Sequence, residues 1–155
     1  MKVCLDTNVI IDILGKTNDF FDSYKAFDVS LIRSFQVFIP ITSTTDIAYI
    51  LPRRGLASEE QAKQLLTQLF SIVEILDARS VDATRALASD IPDYEDALLA
   101  FMAQRNNVDL IITRNTKDFE NSPVPAISPQ QFAELYKPND IEYAEVDLQE
   151  AESPL

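Results

Sequence analysis

The sequence of 155 residues has no histidine, one cysteine and two glycines. The absence of histidine excludes Ser-His-Asp and Cys-His catalysis, and it excludes zinc and haem sites that need a histidine ligand. The single Cys4 excludes a disulfide within the chain, and its apolar surroundings predict a small core residue. With only Gly15 and Gly55, neither a P-loop nor a dinucleotide-binding loop can form. A hydrolase with this composition would depend mainly on oxygen ligands and a hard cation.

Long hydrophobic runs are also missing. No apolar stretch approaches the roughly 20 residues of a membrane span. Asp6 and Asp12 interrupt the apolar run near the N-terminus, which is not the pattern of a signal peptide. We therefore expect a cytoplasmic protein without a membrane segment. Because 46% of the residues are hydrophobic, a chain of this length can bury one compact core.

Acidic residues outnumber basic residues and give the chain a formal net charge of -12 at pH 7. This charge argues against broad, non-specific binding to nucleic acid. Part of it is concentrated in residues 137–155, where six acids accompany one base. We expect residues 1–136 to form the folded domain and residues 137–155 to form an acidic, disordered tail.

Strand and helix patterns alternate along the chain. Short apolar runs predict strands at residues 3–5, 37–39, 72–76, 110–113 and 124–127. Helical spacing, with capping and stop signals, predicts helices at residues 9–14, 20–35, 42–51, 81–89, 94–105 and 129–136, and one after Ser58. Pro52 is expected to end the helix that precedes it. Strands separated by helices predict an α/β fold with three layers, in which helices cover both faces of a central parallel sheet.

Asp6 directly follows the first predicted strand. In open α/β sheets, sites form outside the carboxyl ends of the strands, so Asp6 lies where chemistry is expected. Thr7 or Asn8 can then cap the following helix. The structural alternative is that Asp6 is only the N-cap of that helix. For a single Asp after a strand, this alternative is favoured unless other acidic residues converge on the same place.

Further oxygen-bearing side chains follow other predicted strands. They are Asp46 after the second strand, Asp93 and Asp96 around the start of a later helix, and Asn115 and Asp118 after the strand that ends at Thr113. The helix dipole alone can explain any single acid near a helix N-terminus. Four separate segments at one edge of a sheet are harder to explain this way. Carboxylates held close together repel one another unless a divalent cation neutralises them, so we expect Mg²⁺ or Mn²⁺ there.

Four segments of the chain, in this order, resemble the successive blocks of a PIN domain: residues 6–10, 42–50, 93–98 and 112–119. The resemblance covers roughly residues 1–136. It implies a flavodoxin-like fold and metal-dependent ribonuclease activity. Many small bacterial members of this family are VapC-type toxins that a small antitoxin holds inactive, and small PIN proteins often dimerise. The resemblance therefore implies a ribonuclease toxin, an antitoxin partner and a homodimer.

The resemblance also implies roles for individual residues. By analogy, Asp6 and Asp96 are the first and third catalytic acids and bind the metal, and Asp93 supports Asp96 as a further metal ligand. Thr113, at the end of a strand, is expected to hydrogen-bond a site carboxylate or the attacking water. Asn8 is expected to support the same carboxylates.

Two positions depart from the commonest pattern of the family. Asp46 stands where a Glu is usual, and its shorter side chain can bind a metal through water. Asn115 stands where an Asp is usual, and its amide oxygen can coordinate a hard cation without bringing charge. Asp118 compensates for this as a catalytic residue and metal ligand if the segment turns helically.

The predicted mechanism is hydrolysis of an RNA phosphodiester by a water that the metal orients and deprotonates. Since the ribose 2′-hydroxyl is not the nucleophile, the products carry a 5′-phosphate and a 3′-hydroxyl. We expect Arg114 and Lys117 to bind the RNA substrate, followed by Arg53 and Arg54. For Arg53 and Arg54, we expect about equally that they are ordinary solvent-exposed surface residues without a role in RNA binding.

The sequence is also compatible with other classes of protein. A non-catalytic PIN-like module that binds RNA or a protein is favoured modestly by Asn115 and by the net charge. A Mg²⁺-dependent phosphatase is less well supported, because Asn8 stands where such an enzyme needs a second Asp. The acidic pair, phospho-acceptor Asp and Lys of a receiver domain are not found. A scaffold protein is disfavoured by the oxygen-lined edge.

Overall fold

The structure, a computed structural model, describes residues 1–144. Five strands form one sheet in which every neighbouring pair is parallel. In chain order they are β1 (Lys2–Leu5), β2 (Gln36–Pro40), β3 (Glu74–Leu76), β4 (Leu110–Ile112) and β5 (Ala126–Ile127). Their order across the sheet is β3-β2-β1-β4-β5. The predicted central parallel sheet is confirmed.

Helices cover both faces of this sheet. They are α1 (Thr7–Gly15), α2 (Phe20–Ile32), α3 (Ile41–Arg53), α4 (Glu59–Phe70), α5 (Ser80–Leu87), α6 (Tyr94–Arg105) and α7 (Pro129–Tyr136). One apolar core contains residues of α1 to α4 and α7, and a second contains residues of α5 and α6. Along β1, Val3 and Leu5 belong to the first core and Cys4 to the second, because successive side chains of a strand point to opposite faces. The predicted three-layer α/β/α fold is therefore confirmed.

Two predicted helix signals are wrong. The N-cap of α1 is Asp6, whose side chain accepts a hydrogen bond from the N–H of Thr7, so neither Thr7 nor Asn8 is the cap. The reason is that the helix begins directly after the strand and leaves only Asp6 at that position. Pro52 does not end α3, which continues to Arg53. Pro52 cannot donate to the carbonyl four residues earlier, but only Arg53 follows it in the helix, so the interruption falls at the helix end.

The order of the strands determines where a site can form. β1 pairs with β2 on one side and with β4 on the other, and at such a reversal of strand order a crevice opens outside the carboxyl ends. Leu5 is aligned with Ile112, and the N–H of Asp6 donates a hydrogen bond of 3.0 Å to the carbonyl of Ile112. Asp6 and Thr113 therefore leave neighbouring strands side by side.

Packed structure continues beyond α7. The hydroxyl of Tyr143 donates a hydrogen bond of 2.6 Å to Asp28 of α2, and the Tyr143 side chain packs against the first core. Contacts thus extend past residue 136, the predicted end of the domain. Residues 145–155 of the predicted acidic tail lie outside the described part of the chain. Within residues 1–144, no helix is long and apolar enough to cross a membrane.

Candidate active site

A cleft of about 490 Å³ opens at the carboxyl ends of β1 and β4. It brings together most of the residues predicted from the sequence, and Glu95 in addition. The polar side chains that line it include Asp6, Asn8, Asp46, Arg54, Asp93, Glu95, Asp96, Arg114, Asn115 and Asp118. Of the other predicted residues, Thr113 is fully buried, and Lys117 and Arg53 are not part of the lining.

Asp6 is a buried carboxylate whose two oxygens are both held in place. Oδ1 accepts a hydrogen bond of 2.7 Å from the N–H of Thr7. Oδ2 accepts hydrogen bonds from Asn8 Nδ2 at 2.6 Å and from Thr113 Oγ1 at 2.7 Å. Burial raises the pKa of Asp6 above its ordinary value, even though the hydrogen bonds from Thr113, Thr7 and Asn8 act in the opposite direction. Asp6 is thus both the cap of α1 and a desolvated acid at the cleft.

Asp93 and Asp96 lie at the start of α6 and have different environments. Asp93 is the N-cap, and its Oδ1 accepts hydrogen bonds from the backbone N–H groups of Glu95 at 2.8 Å and Asp96 at 3.2 Å. Burial, followed by the negative charges of Asp6, Asp93, Asp118 and Glu95, raises the pKa of Asp96 from 3.8 to about 7. Asp96 therefore lies within electrostatic reach of four other acids.

Glu95 is an acid of the cleft that our sequence analysis missed. Its Oε1 accepts a hydrogen bond of 3.4 Å from Thr7 Oγ1, and Thr7 Oγ1 shares a second one of 2.7 Å with Ser43 Oγ. Partial burial and the charges of Asp46 and Asp6 raise the pKa of Glu95. The available signal was its place in the first turn of α6 beside Asp96, but the helix dipole explains an acid there equally well.

The segment after β4 completes one wall of the cleft. The backbone N–H of Asn115 donates a hydrogen bond of 3.0 Å to Thr113 Oγ1, so Thr113 connects this segment to Asp6. Residues Thr116–Phe119 form a 3₁₀ turn, in which the N–H of Asp118 donates to the carbonyl of Asn115 at 3.0 Å. The segment thus turns helically and places Asp118 beside Asn115 in the lining of the cleft.

The four predicted RNA-binding residues differ in their contacts. The Arg114 guanidinium forms ion pairs with Asp12 at 2.9 Å and with Asp19 at 3.1 Å. Arg54 lines the cleft. Arg53 instead lies over the ring of Tyr49, at 4.6 Å from its centre, and Lys117 is exposed on the 3₁₀ turn. Arg54 and Arg114 are therefore the basic side chains that the structure places at the acidic cleft.

The donor chemistry of the cleft fits a hard divalent cation. Within residues 1–144, no three acidic side chains lie close enough together to hold a metal ion as they stand. Mg²⁺ does not need such a cage, because it usually keeps several waters and binds through one or two carboxylates and the phosphates of a substrate. The charges that raise the pKa of Asp96 repel one another, and a cation would relieve this repulsion. Asp6 and Asp96 are the two acids that could share it.

The fold resembles those of toxin–antitoxin proteins. VapBC2 from Rickettsia felis, bound to a DNA fragment from its promoter, matches with a TM-score of 0.65 and 20% identity over 83% of this chain and 98% of that one. DNA-bound VapBC from Salmonella typhimurium matches with a TM-score of 0.63 and 18% identity over 83% of this chain and 98% of that one. A toxin–antitoxin complex from Klebsiella pneumoniae matches with a TM-score of 0.60 and 21% identity over 82% of this chain and 97% of that one. At these identities the similarities show a common fold.

Sequence comparison identifies the family. Comparison with curated proteins gives no match. The family model of the PIN domain, however, matches residues 2–117. This match covers well over half of the chain and contains β1 to β4 and every polar cleft residue except Asp118. The chain belongs to the PIN domain family.

Proposed function

We propose that the protein is a metal-dependent ribonuclease that hydrolyses RNA phosphodiester bonds, and that it is the toxin of a toxin–antitoxin module. The observation that carries the first part is the convergence of Asp6, Glu95 and Asp96 on one cleft at the reversal of strand order. Membership of the PIN domain family supports the same activity. The toxin assignment is supported by the fold shared with VapBC proteins.

The residues of the cleft have separate tasks in this proposal. Asp6 and Asp96 would hold Mg²⁺ or Mn²⁺, which supplies a Lewis acid and an activated water when it is bound. Three hydrogen bonds keep Asp6 from rotating, so its free lone pairs keep a constant direction. Asn115 and Asp118 contribute an amide and a carboxylate on one wall of the cleft, and Arg54 contributes positive charge for a phosphate.

The net charge of the chain limits how RNA can be recognised. With a formal charge of -12, long-range attraction to the phosphate backbone is absent, so binding depends on local contacts. Arg54 at the cleft and Lys117 on the adjacent turn provide such contacts. We therefore expect weak binding to most RNAs and cleavage of a small set of substrates. This expectation agrees with a toxin that acts on particular RNAs.

Cleavage of structured RNAs tests the activity. Wild type, Asp6→Asn, Asp96→Asn and the control Asp22→Asn are purified identically and assayed with Mn²⁺, Mg²⁺ or EDTA. Asp22 lies on α2 in an ion pair with Lys25, outside the cleft, so its variant should keep full activity. We expect metal-dependent cleavage that leaves 5′-phosphate ends and is lost in both cleft variants. Equal traces of activity in all four proteins would indicate a contaminant and contradict the proposal.

The alternative of a non-catalytic module has its own signature. If no RNA is cut and calorimetry detects no binding of Mn²⁺, the cleft does not work as a metal centre. The neutral Asn115 and the lack of three clustered acids in the described residues would then be the reason. Metal binding without cleavage would instead mean that the right RNA had not been offered.

The toxin assignment needs a test in cells. Expression of the wild type in a bacterial host should arrest growth, and expression of Asp6→Asn should not. Co-purification with a small protein that restores growth would identify the antitoxin. Light scattering of the purified chain tests the homodimer that the family resemblance implies. Normal growth with the active wild-type enzyme present would contradict the toxin assignment and leave the ribonuclease proposal intact.

A further inference from the structure

We propose that Arg114 is a positioning residue that holds Asn8, and through it the Asp6 carboxylate, in the orientation needed for a divalent cation. The buried Asp12 on α1 anchors the Arg114 guanidinium for this purpose. The inference rests on the proposed function, because cation binding at Asp6 is part of that proposal. It gives Arg114 a role different from direct contact with RNA.

Asp12 is a buried carboxylate on α1. Its side chain is only 1% exposed. Oδ1 accepts a hydrogen bond of 2.6 Å from Thr17 Oγ1, and Oδ2 accepts one of 2.9 Å from Ser23 Oγ and forms the ion pair with Arg114 Nε at 2.9 Å. A buried carboxylate is tolerated when it is paired and hydrogen-bonded in this way. Asp12 is therefore a rigid anchor point for Arg114.

Arg114 is connected to the cleft through its backbone and Asn8. The backbone N–H of Arg114 donates a hydrogen bond of 3.2 Å to Asn8 Oδ1. Asn8 Nδ2 in turn donates to Asp6 Oδ2 at 2.6 Å and to Thr113 Oγ1 at 3.2 Å. Because an amide has its acceptor on one side and its donors on the other, the N–H of Arg114 determines that Nδ2 faces Asp6. The side chain of Arg114 holds this backbone against α1.

The charge of Arg114 is balanced by acids of the chain itself. Its guanidinium is shared between Asp12 and the more exposed Asp19, at 2.9 Å and 3.1 Å. Two carboxylates largely neutralise one guanidinium, so a phosphate would have to compete with both. A role in fixing the geometry of the cleft uses the contacts that exist, whereas a role in binding RNA requires them to break.

The test measures Mn²⁺ affinity by calorimetry without RNA, and the side-chain amide resonances of Asn8 by NMR without metal. We expect Arg114→Ala and Asp12→Asn to weaken Mn²⁺ binding about tenfold, as is usual for residues that orient a metal ligand, and to shift the Asn8 resonances. Arg114→Lys should lose less, since its ammonium keeps one ion pair. The control Asp22→Asn, which breaks the ion pair with Lys25, should match the wild type.

Affinities are compared among variants that circular dichroism shows to be folded, and Arg114→Lys provides the milder variant if another does not fold. Unchanged Mn²⁺ affinity and unchanged Asn8 resonances in Arg114→Ala would overturn the proposal. If RNA affinity alone fell, the guanidinium would be assigned to phosphate binding instead. If the wild type bound no Mn²⁺, the proposed function would fail. The Asn8 resonances are measured without metal and therefore test the positioning role in either case. A shift of these resonances in Arg114→Ala would support that role, and unchanged resonances would overturn it.

Discussion

Replacing Asp96 with Asn should stabilise the metal-free protein, although it removes a proposed metal ligand. Burial and the charges of Asp6, Asp93, Asp118 and Glu95 raise the pKa of Asp96 from 3.8 to about 7. The folded protein therefore binds more protons than the unfolded chain between these two pH values, and its stability falls as the pH rises through that window. The change would correspond to about 4 kcal/mol for a fully buried group. Since Asp96 is only partly buried, solvent screening reduces our expectation to about 1–2 kcal/mol.

Thermal unfolding in EDTA measures this effect. For a domain of this size, about 1–2 kcal/mol corresponds to a rise in Tm of about 3–6 °C for Asp96→Asn at pH 8. The gain should be smaller at pH 5, where wild-type Asp96 is already protonated. Adding Mn²⁺ should raise the Tm of the wild type by mass action and leave that of Asp96→Asn nearly unchanged. The control Asp22→Asn alters a partly exposed ion pair outside the cleft and should stay within about 0.5 kcal/mol. A lower Tm for Asp96→Asn than for the wild type at pH 8 would refute the reasoning.

Three further predictions concern other contacts. Burial alone would raise the pKa of Asp82, but hydrogen bonds from Arg105 and from a backbone N–H hold this pKa below its ordinary value. Stability should therefore be lost as the pH falls through the lowered pKa. Arg105→Ala should lower the free energy of unfolding in urea by about 3 kcal/mol, and a cost below about 1 kcal/mol would contradict this. Glu95→Gln should lower the cleavage rate about tenfold with unchanged RNA affinity, and an unchanged rate would exclude Glu95 from the reaction. Tyr143→Phe should lower stability by about 1 kcal/mol through loss of the hydrogen bond to Asp28, and the same loss in an Asp28→Ala background would show that the bond contributes nothing.

The layers of the fold could be predicted because the central strands are buried on both faces. Such strands have nearly continuous apolar sequences, and the helices between them leave a parallel sheet as the simplest arrangement. The ends of edge strands were predicted less well. The strand predicted at 72–76 is shorter, Glu74–Leu76, because an edge strand has neighbours on one side only. The order of the strands depends on long-range pairing that no local pattern contains.

The candidate site could be predicted where chain direction alone determined it. Residues after parallel strands meet at one edge of the sheet, so Asp6 and Asp118 could be placed together without knowing the order of the strands. Asp12 could not be identified in this way, because it lies in an apolar helical segment and its partner Arg114 is about 100 residues away. Glu95 was missed for another reason. An acid in the first turn of a helix is so often a dipole effect that its position carries little information.

Asp6 has two roles to be compared, that of a helix N-cap and that of an acid in the cleft. One oxygen accepts from Thr7 as a cap does, and the other accepts from Asn8 and Thr113. Hydrogen bonds of this kind lower the pKa of an acid. Burial nevertheless raises the pKa of Asp6, so the fold removes this carboxylate from water further than capping requires. The capping hydrogen bond therefore orients the Asp6 carboxylate toward the cleft. Capping is thus compatible with a role of Asp6 in binding a cation.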